Sequence, residues 1–525
     1  MTLIRRPPPG VGSRLQTLLL DDGPFGRLLA LVVLAIAWVA TWRPQVDPDA
    51  GWHLLVGRQV LADGGPARVD SITWLDPGGP FIAHSWAWDT LMELAYRVGG
   101  LSAISVAGAA AGALAVSLMW AILRTFDHPR SPFVRAVLVL IAVLGAAPVW
   151  NPRAQIWDLV FVLWAVLGWS TYLRTGRHTV LFTMPIAAIL WANLHGGGVL
   201  ALPISAIALA TAVPLGRRWG TWPSRPVAPL AASVGLAMVA FLANPYGPDT
   251  LRYWALVLFS GPSQRFIAEW QTPDMKQVGF LVFRVVLAIA PLLTLGLPRR
   301  DRDPLFLLLA AGWTVIALGM ARLVLLAMPL VVLAIAPTLD GLVARWTDRN
   351  EPPAVGSGAS PDKGLDTRGA RVRQLPSPVL AVFGLLLVFV IAIGVVRIAP
   401  SAQDAALRSE FPVEAVNDLI AARCDGLILN YYNWGGYLAW RWGHRVGAYG
   451  NSDSIGDANL EEQARLLALT VDPRQFLERT GATLMLIPSE GPLDRWVVES
   501  GGWTVIHRDD MAVLWERSDR ATCTR

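Results

Sequence analysis

Eleven apolar stretches, each long enough or nearly long enough to cross a bilayer as a helix, recur through this 525-residue chain and leave it few folds to choose from. They lie at about 27–43, 101–123, 134–150, 156–173, 179–194, 199–215, 227–243, 279–297, 304–320, 323–341 and 377–397. A hydrocarbon core offers no water to unpaired backbone N–H and C=O groups, so such segments cross it as helices, which satisfy those groups internally. Composition agrees, with 54% of residues hydrophobic and only 16% charged. The expected fold class is a polytopic α-helical membrane protein of about eleven transmembrane helices.

Arginines between the spans orient it. Arg124, Arg130 and Arg135 follow the second span, Arg174 and Arg177 the fourth, Arg217, Arg218 and Arg225 the sixth, and Arg299, Arg300 and Arg302 the eighth. Together with Arg5, Arg6 and Arg14 before the first span they fall on one side, which the positive-inside rule makes cytoplasmic. A net charge of +5 is what such loops supply, so the basic balance points to the lipid bilayer as a partner and not to nucleic acid. Met1 to Arg27 carries no small-residue cleavage site after a short apolar core, and the first apolar segment is expected to stay as a helix.

The chain then divides into a cytoplasmic N-terminus (1–26), a first span (27–43) and a first outer loop (44–100). A core of about nine helices follows (101–350), interrupted by a second outer loop (244–278). A Gly-, Pro- and Ser-rich cytoplasmic linker (351–376) leads to the last span (377–398) and an extracytoplasmic domain (399–525). Within the first loop, residues 50–62 suit a short helix stopped by Asp63-Gly64-Gly65-Pro66. Trp88, Leu91, Met92 and Ala95 recur at i, i+3, i+4 and i+7, while Asp89, Glu93 and Arg97 line another face, a pattern expected of a helix along the membrane surface. After Pro400 the pattern changes to strands at 427–430, 482–488, 503–507 and 511–516 among helices at 412–423, 460–469 and 474–479, which is a small α/β domain. Both cysteines of the chain, Cys424 and Cys523, lie there, and in an oxidising compartment they are expected to pair.

Chemistry must come from polar residues facing outward. Val46-Asp47-Pro48-Asp49-Ala50-Gly51-Trp52-His53 stands directly after the first span. Two carboxylates at a bilayer surface can serve as general base and as oxygen ligands of a divalent cation such as Mg or Mn, although solvated surface acids show the same D-x-D spacing. Trp86 and Trp88 offer aromatic faces to a sugar or prenyl chain. His53, His84 and His195 map to the same side, where an interfacial imidazole bonded to backbone is the plain alternative to a site. Asn193 flanks a span beside His195 and is expected to face the bundle interior. Arg153 and Arg322 stand at outward span ends and can neutralise a phosphate or simply snorkel, and Glu269 can complete a pocket or an interhelical ion pair.

The order of Asp47-Pro48-Asp49 with Trp52-His53, His84-Ser85-Trp86, Trp191-Ala192-Asn193-Leu194-His195-Gly196, Asn244-Pro245-Tyr246-Gly247, Glu269-Trp270 and Asn433-Trp434-Gly435-Gly436-Tyr437-Leu438 resembles a group of bacterial membrane proteins within the GT-C superfamily. That superfamily comprises polyprenyl-phosphate-dependent glycosyltransferases, among them protein mannosyltransferases, oligosaccharyltransferases and arabinosyltransferases. The resemblance implies a GT-C-like bundle in the bacterial inner membrane and an inverting transfer of a sugar from a polyprenyl-phosphate donor to a glycan, lipid or protein acceptor in the cell envelope. Asp47 would be the base, Asp49 would bind metal or orient the acceptor, and Arg153 or Arg322 would hold the donor phosphate. A lipid or glycan flippase would more often show matching internal halves, and none is evident. A non-catalytic assembly protein would leave Asp47 solvated and away from any cavity.

Overall fold

A computed structural model describes residues 23–125, 131–350, 376–451 and 455–524; the arginines near the N-terminus, Arg130, the linker and Ser452-Asp453 lie outside the described residues. Among the described residues, seven helices are long and apolar enough to cross a membrane, and four shorter apolar ones accompany them. Together they account for the eleven segments expected. The seven include α3 (Trp86–Thr125), α5 (Ile156–Thr175), α7 (Gly198–Trp219) and α13 (Ser377–Arg397). The four shorter ones are α1 (Pro24–Ala40), α6 (Met184–Leu194), α8 (Ala228–Ala240) and α11 (Pro304–Gly319). The fifth expected segment is broken: a single turn over Thr179–Phe182 precedes α6, where Pro185 sits in the first turn of the new helix.

The bundle core is large and mostly apolar, with Trp150, Trp169, Trp191 and Trp313 among its buried rings, and it also buries polar side chains such as Asp158, Ser170 and Ser205. At one end, α2 (Ala50–Asp63) lies just after the acidic motif and stops at Gly64, whose φ of 75° is open to glycine at no steric cost. The second helix expected in the first loop is the front part of α3, separated from its spanning part by Gly99 and by Gly100 at φ 62°. The charged face that the spacing gives to a helix along the membrane surface is turned partly inward. Asp89 and Glu93 are buried against α2, where a Cβ at Gly57 would come within 2.1 Å of the Asp89 carbonyl oxygen.

The C-terminal domain is a four-stranded sheet in the order β1-β2-β4-β3, with β1 at Ile428–Asn430, β2 at Leu484–Pro488, β3 at Trp503–Arg508 and β4 at Ala512–Arg517. β1 and β2 run parallel, and β4 pairs antiparallel with both β2 and β3. Leu484 to Ile487 are buried on both faces, the run expected of an inner strand covered by helices. Cys424 and Cys523 form the expected disulfide. Three helices escape the sequence pattern: α14 (Pro400–Glu410), α16 (Gly435–Trp442) and α19 (Pro492–Ser500).

One apolar cluster joins the first loop to this domain, uniting Trp52, Val56 and Val60 with Phe411, Leu438 and Tyr449. Contact is close because glycines allow it. A Cβ at Gly51 would fall 2.1 Å from the Gly436 carbonyl oxygen, and one at Gly436 would meet the Pro48 carbonyl oxygen at 2.6 Å. The domain is thereby seated directly on the acidic motif.

Candidate active site

Segments distant in sequence enclose a cavity of about 260 Å³ at this end of the bundle. They include the turn into α2, the Asn151–Gln155 turn before α5, the loop carrying Glu269, the Arg322 turn, and Gly450-Asn451 of the C-terminal domain. Arg153 organises them. Its Nε faces the Asp47 carboxylate, its Nη2 lies 2.5 Å from Asp49 Oδ2 and its Nη1 pairs with Glu269 Oε2. The other oxygen of Glu269 accepts from Arg322 Nη1 at 3.1 Å, and Arg322 in turn lies over the Trp270 ring.

The two aspartates differ in access. Asp47 is 4% exposed, stands behind Arg153 and is absent from the cavity wall, while Asp49 lines it. Asp47 Oδ1 accepts the backbone N–H of Asp49 at 2.8 Å, which fixes the turn around Pro48. Burial, with the neighbouring Asp49 and Glu269 charges adding to it, pushes the Asp47 carboxyl up to about 6 against the pull of Arg153. Burial acts in the same direction on Glu269, but Arg153 and Arg322 overcome it and hold that carboxyl below its usual range.

The three histidines converge, with ring centroids 6.4 Å apart for His53 and His84 and 5.7 Å for His84 and His195. Two of them are backed by carboxylates that the sequence did not single out for the site. His53 Nδ1 meets Asp89 Oδ1 at 2.7 Å, and Asp89 also accepts from Ser85 Oγ at 2.8 Å. His195 Nδ1 meets Asp158 Oδ2 at 2.8 Å, and Trp191 Nε1 donates to the other oxygen at 2.7 Å. Each pairing fixes the ring and leaves Nε2 to other partners. Burial lowers the His53 pKa, yet the Asp89 carboxylate more than offsets it and the net direction is up. His84, bonded to the Tyr253 hydroxyl at 3.0 Å, is pushed well down by burial and by the other two imidazoles.

Trp86 and Asn193 do not join this wall. Trp86 Nε1 donates to Asn193 Oδ1 at 2.9 Å, and Asn193 donates to the carbonyls of Ile189 and Ala243, so the pair ties the first loop to α6 and to the segment after α8. Instead the cavity is lined by three buried N–H donors that have no hydrogen-bond partner among the described residues: Trp52 Nε1, Trp254 Nε1 and Asn451 Nδ2.

A divalent cation does not fit the aspartate pair expected to hold it. An ion bound to these carboxylates at about 2.0–2.6 Å would stand roughly 4 Å from the Arg153 guanidinium. Repulsion there is on the order of 8 kcal/mol for a doubly charged ion at an effective dielectric of about 20. Among the described residues no group of three or more His, Cys, Asp or Glu is arranged to hold a metal. The oxygens proposed as ligands are bonded to a guanidinium.

No family matches the sequence, and no curated protein matches it. Solved structures do. The oligosaccharyltransferase AglB from Archaeoglobus fulgidus, in complex with an inhibitory peptide and a dolichol-phosphate, superposes with a TM-score of 0.52 at 12% identity, covering 87% of this chain and 69% of that one. The chain therefore shares the fold of that oligosaccharyltransferase. The apo form of the same oligosaccharyltransferase gives the same TM-score, identity and coverage. ArnT from Cupriavidus metallidurans bound to undecaprenyl phosphate is similar at a TM-score of 0.46 and 17% identity over 93% of this chain and 97% of that one. Of the residues singled out from order and sidedness, Asp49, His53, His84, Arg153, His195, Glu269 and Arg322 line one cavity. Asp89 and Asp158 were not singled out for the site, because a carboxylate's role as a second partner of histidine depends on helix packing.

Proposed function

We propose that this protein is an inverting membrane glycosyltransferase that moves a sugar from a polyprenyl-phosphate donor to an acceptor hydroxyl on the extracytoplasmic face of the bacterial inner membrane. The observation that supports this reading above the others is the cavity where two carboxylates, two arginines and the carboxylate-backed histidines converge from segments distant in sequence, in a fold like that of the oligosaccharyltransferase AglB. A flippase needs no such convergence of acid–base groups around unpaired donors.

In this reading Asp49 takes the proton. It lines the cavity, whereas Asp47, the base expected from position in the sequence, has Arg153 between it and the space a substrate would occupy. Asp47 is then a positioning residue that holds Arg153 and, through the Asp49 N–H, the turn. The acceptor oxygen attacks the anomeric carbon from the face opposite the phosphate as Asp49 removes its proton. The C–O bond to phosphate breaks, the configuration inverts, and the polyprenyl phosphate leaves with the bonding pair. Arg322 receives the growing phosphate charge in a site with little water. Trp52, Trp254 and Asn451 supply N–H donors to the sugar hydroxyls. The acceptor is a glycan, lipid or protein, and the C-terminal domain seated over the motif forms its side of the cavity.

The test is transfer of a radiolabelled sugar from polyprenyl phosphate in membranes holding the wild-type chain or Asp49→Asn. General-base loss costs about 100-fold or more. Wild-type rates in Asp49→Asn would overturn the assignment of the base, and absence of transfer by the wild-type chain from every donor offered would remove the enzyme reading.

A further inference from the structure

We infer that Arg153 is this protein's built-in cation: it fills the place in which a divalent ion would join the acidic turn to Glu269, so that transfer runs without a metal. The inference rests on the glycosyltransferase reading and deepens it by naming what holds the reactive carboxylates and the ionic requirement that follows.

Three carboxylates from two distant loops address one guanidinium through three different nitrogens: Asp47 at Nε, Asp49 at Nη2 and Glu269 at Nη1. This is the connectivity of a central ion with acidic ligands, built from a side chain. The Arg153 side chain is only 15% exposed, so its charge acts at close range with little solvent between it and its partners. A guanidinium remains protonated at any physiological pH, and its planar fork matches carboxylate geometry. Its charge therefore depends on neither ion supply nor proton concentration.

The surrounding chain keeps the carboxylates in place independently of Arg153. Asp47 is held by the Asp49 backbone N–H, and Asp49 Oδ1 is packed so closely on Gly450 that a Cβ there would fall 1.6 Å from it. Glu269 is anchored at its other oxygen by Arg322. Shortening Arg153 should thus leave three oxygen donors facing a common space, the ligand type that hard divalent ions choose. Removal of the arginine turns a site that rejects such ions into one that binds them.

The experiment is a titration of the purified full-length chain in detergent micelles with Mn2+, followed by electron paramagnetic resonance and thermal unfolding. Wild type should bind no Mn2+ at this site, and chelator should change its transfer rate less than about 2-fold. Arg153→Ala should take up one Mn2+ per chain with a rise in Tm, and the double change Arg153→Ala with Glu269→Gln should lose that binding. Stoichiometric Mn2+ on wild type that disappears in Asp49→Asn would overturn the inference, as would a folded Arg153→Ala that binds none. If Arg153→Ala does not fold, Arg153→Gln is held to the same criterion, and failure of Mn2+ to restore folding to either overturns it too. These readouts need no turnover, so they stand apart from the transfer assay: a wild type inactive with every donor would sink the glycosyltransferase reading and leave the ion-binding result to be judged by itself.

Discussion

Asp47 and Asp49 show how two residues of one type, separated by a single proline, acquire different jobs from access alone. Asp49 meets the cavity and Asp47 meets Arg153, a division that the D-x-D spacing does not encode. Because Asp47 is pushed up to about 6, it is charged above that pH and neutral below it. Charged, it pairs with Arg153 and holds the guanidinium in place; neutral, it gives up that ion pair. The transfer rate of wild type should therefore fall as pH drops through about 6. Asp47→Asn should be slower at neutral pH and lack that limb, whereas a merely structural residue would lower the rate equally at every pH. The histidines make a second case. Their convergence was readable from topology, but Asp89 looked like part of a charged helix face because its neighbours Glu93 and Arg97 are spaced four apart, and only packing against α2 reveals it as the partner of His53. Asp89→Asn should remove the charge that raises the His53 pKa, and the imidazole proton followed by NMR should titrate at lower pH than in wild type.

At the scale of elements, the membrane helices were legible because a bilayer imposes length and hydropathy on each one separately. The contacts between elements were less so, since they depend on which residues have no side chain. Gly51 and Gly436 read as ordinary small residues in a sequence, yet each lies where a Cβ would strike the backbone of the other segment. Gly435-Gly436-Tyr437 and Gly450 had no role assigned to them from sequence; they are the seat by which α16 and the following turn reach the acidic motif. Gly51→Ala should force α2 away from α16 at a cost of about 1–3 kcal/mol, seen as a lower Tm. It should lower transfer further than that loss of stability explains, because the walls of the cavity move apart; unchanged Tm and rate would show that the seat tolerates a methyl group. The disulfide works on the same domain from its far end, closing Cys424 to Cys523 across 99 residues. Chain-entropy reasoning gives a loop of that length about 4–5 kcal/mol, so replacing both cysteines by alanine should lower the unfolding temperature of the C-terminal domain markedly while leaving the helical signal of the bundle in place.

For the whole molecule, the cavity is where two different kinds of folding meet. The bundle is built from helices long and apolar enough to cross a membrane, and the domain from a four-stranded sheet with helices around it. The domain closes one wall, contributing Gly450 and Asn451, and it is held there by an apolar cluster with the first loop and by contacts to α3 such as Gln403 Nε2 to Ser105 Oγ. The acidic motif, the histidines, Glu269, Arg322 and the domain all meet at one end of the bundle, which is the end opposite the arginine-rich loops if those loops obey the positive-inside rule. Sidedness is therefore one question for the entire site. A periplasmic-only reporter enzyme fused after Arg525 should be active, and one fused after Arg218, in the loop that ends α7, should not. Single cysteines placed at exposed positions of the two ends should divide in the same way when intact cells are treated with an impermeant thiol reagent. The opposite pattern would put the site in the cytoplasm, where the disulfide would be reduced and an extracytoplasmic acceptor could not reach Asp49. A mixed pattern would instead break the count of spans, since every segment between α1 and α13 must reverse the chain for both ends of the argument to hold.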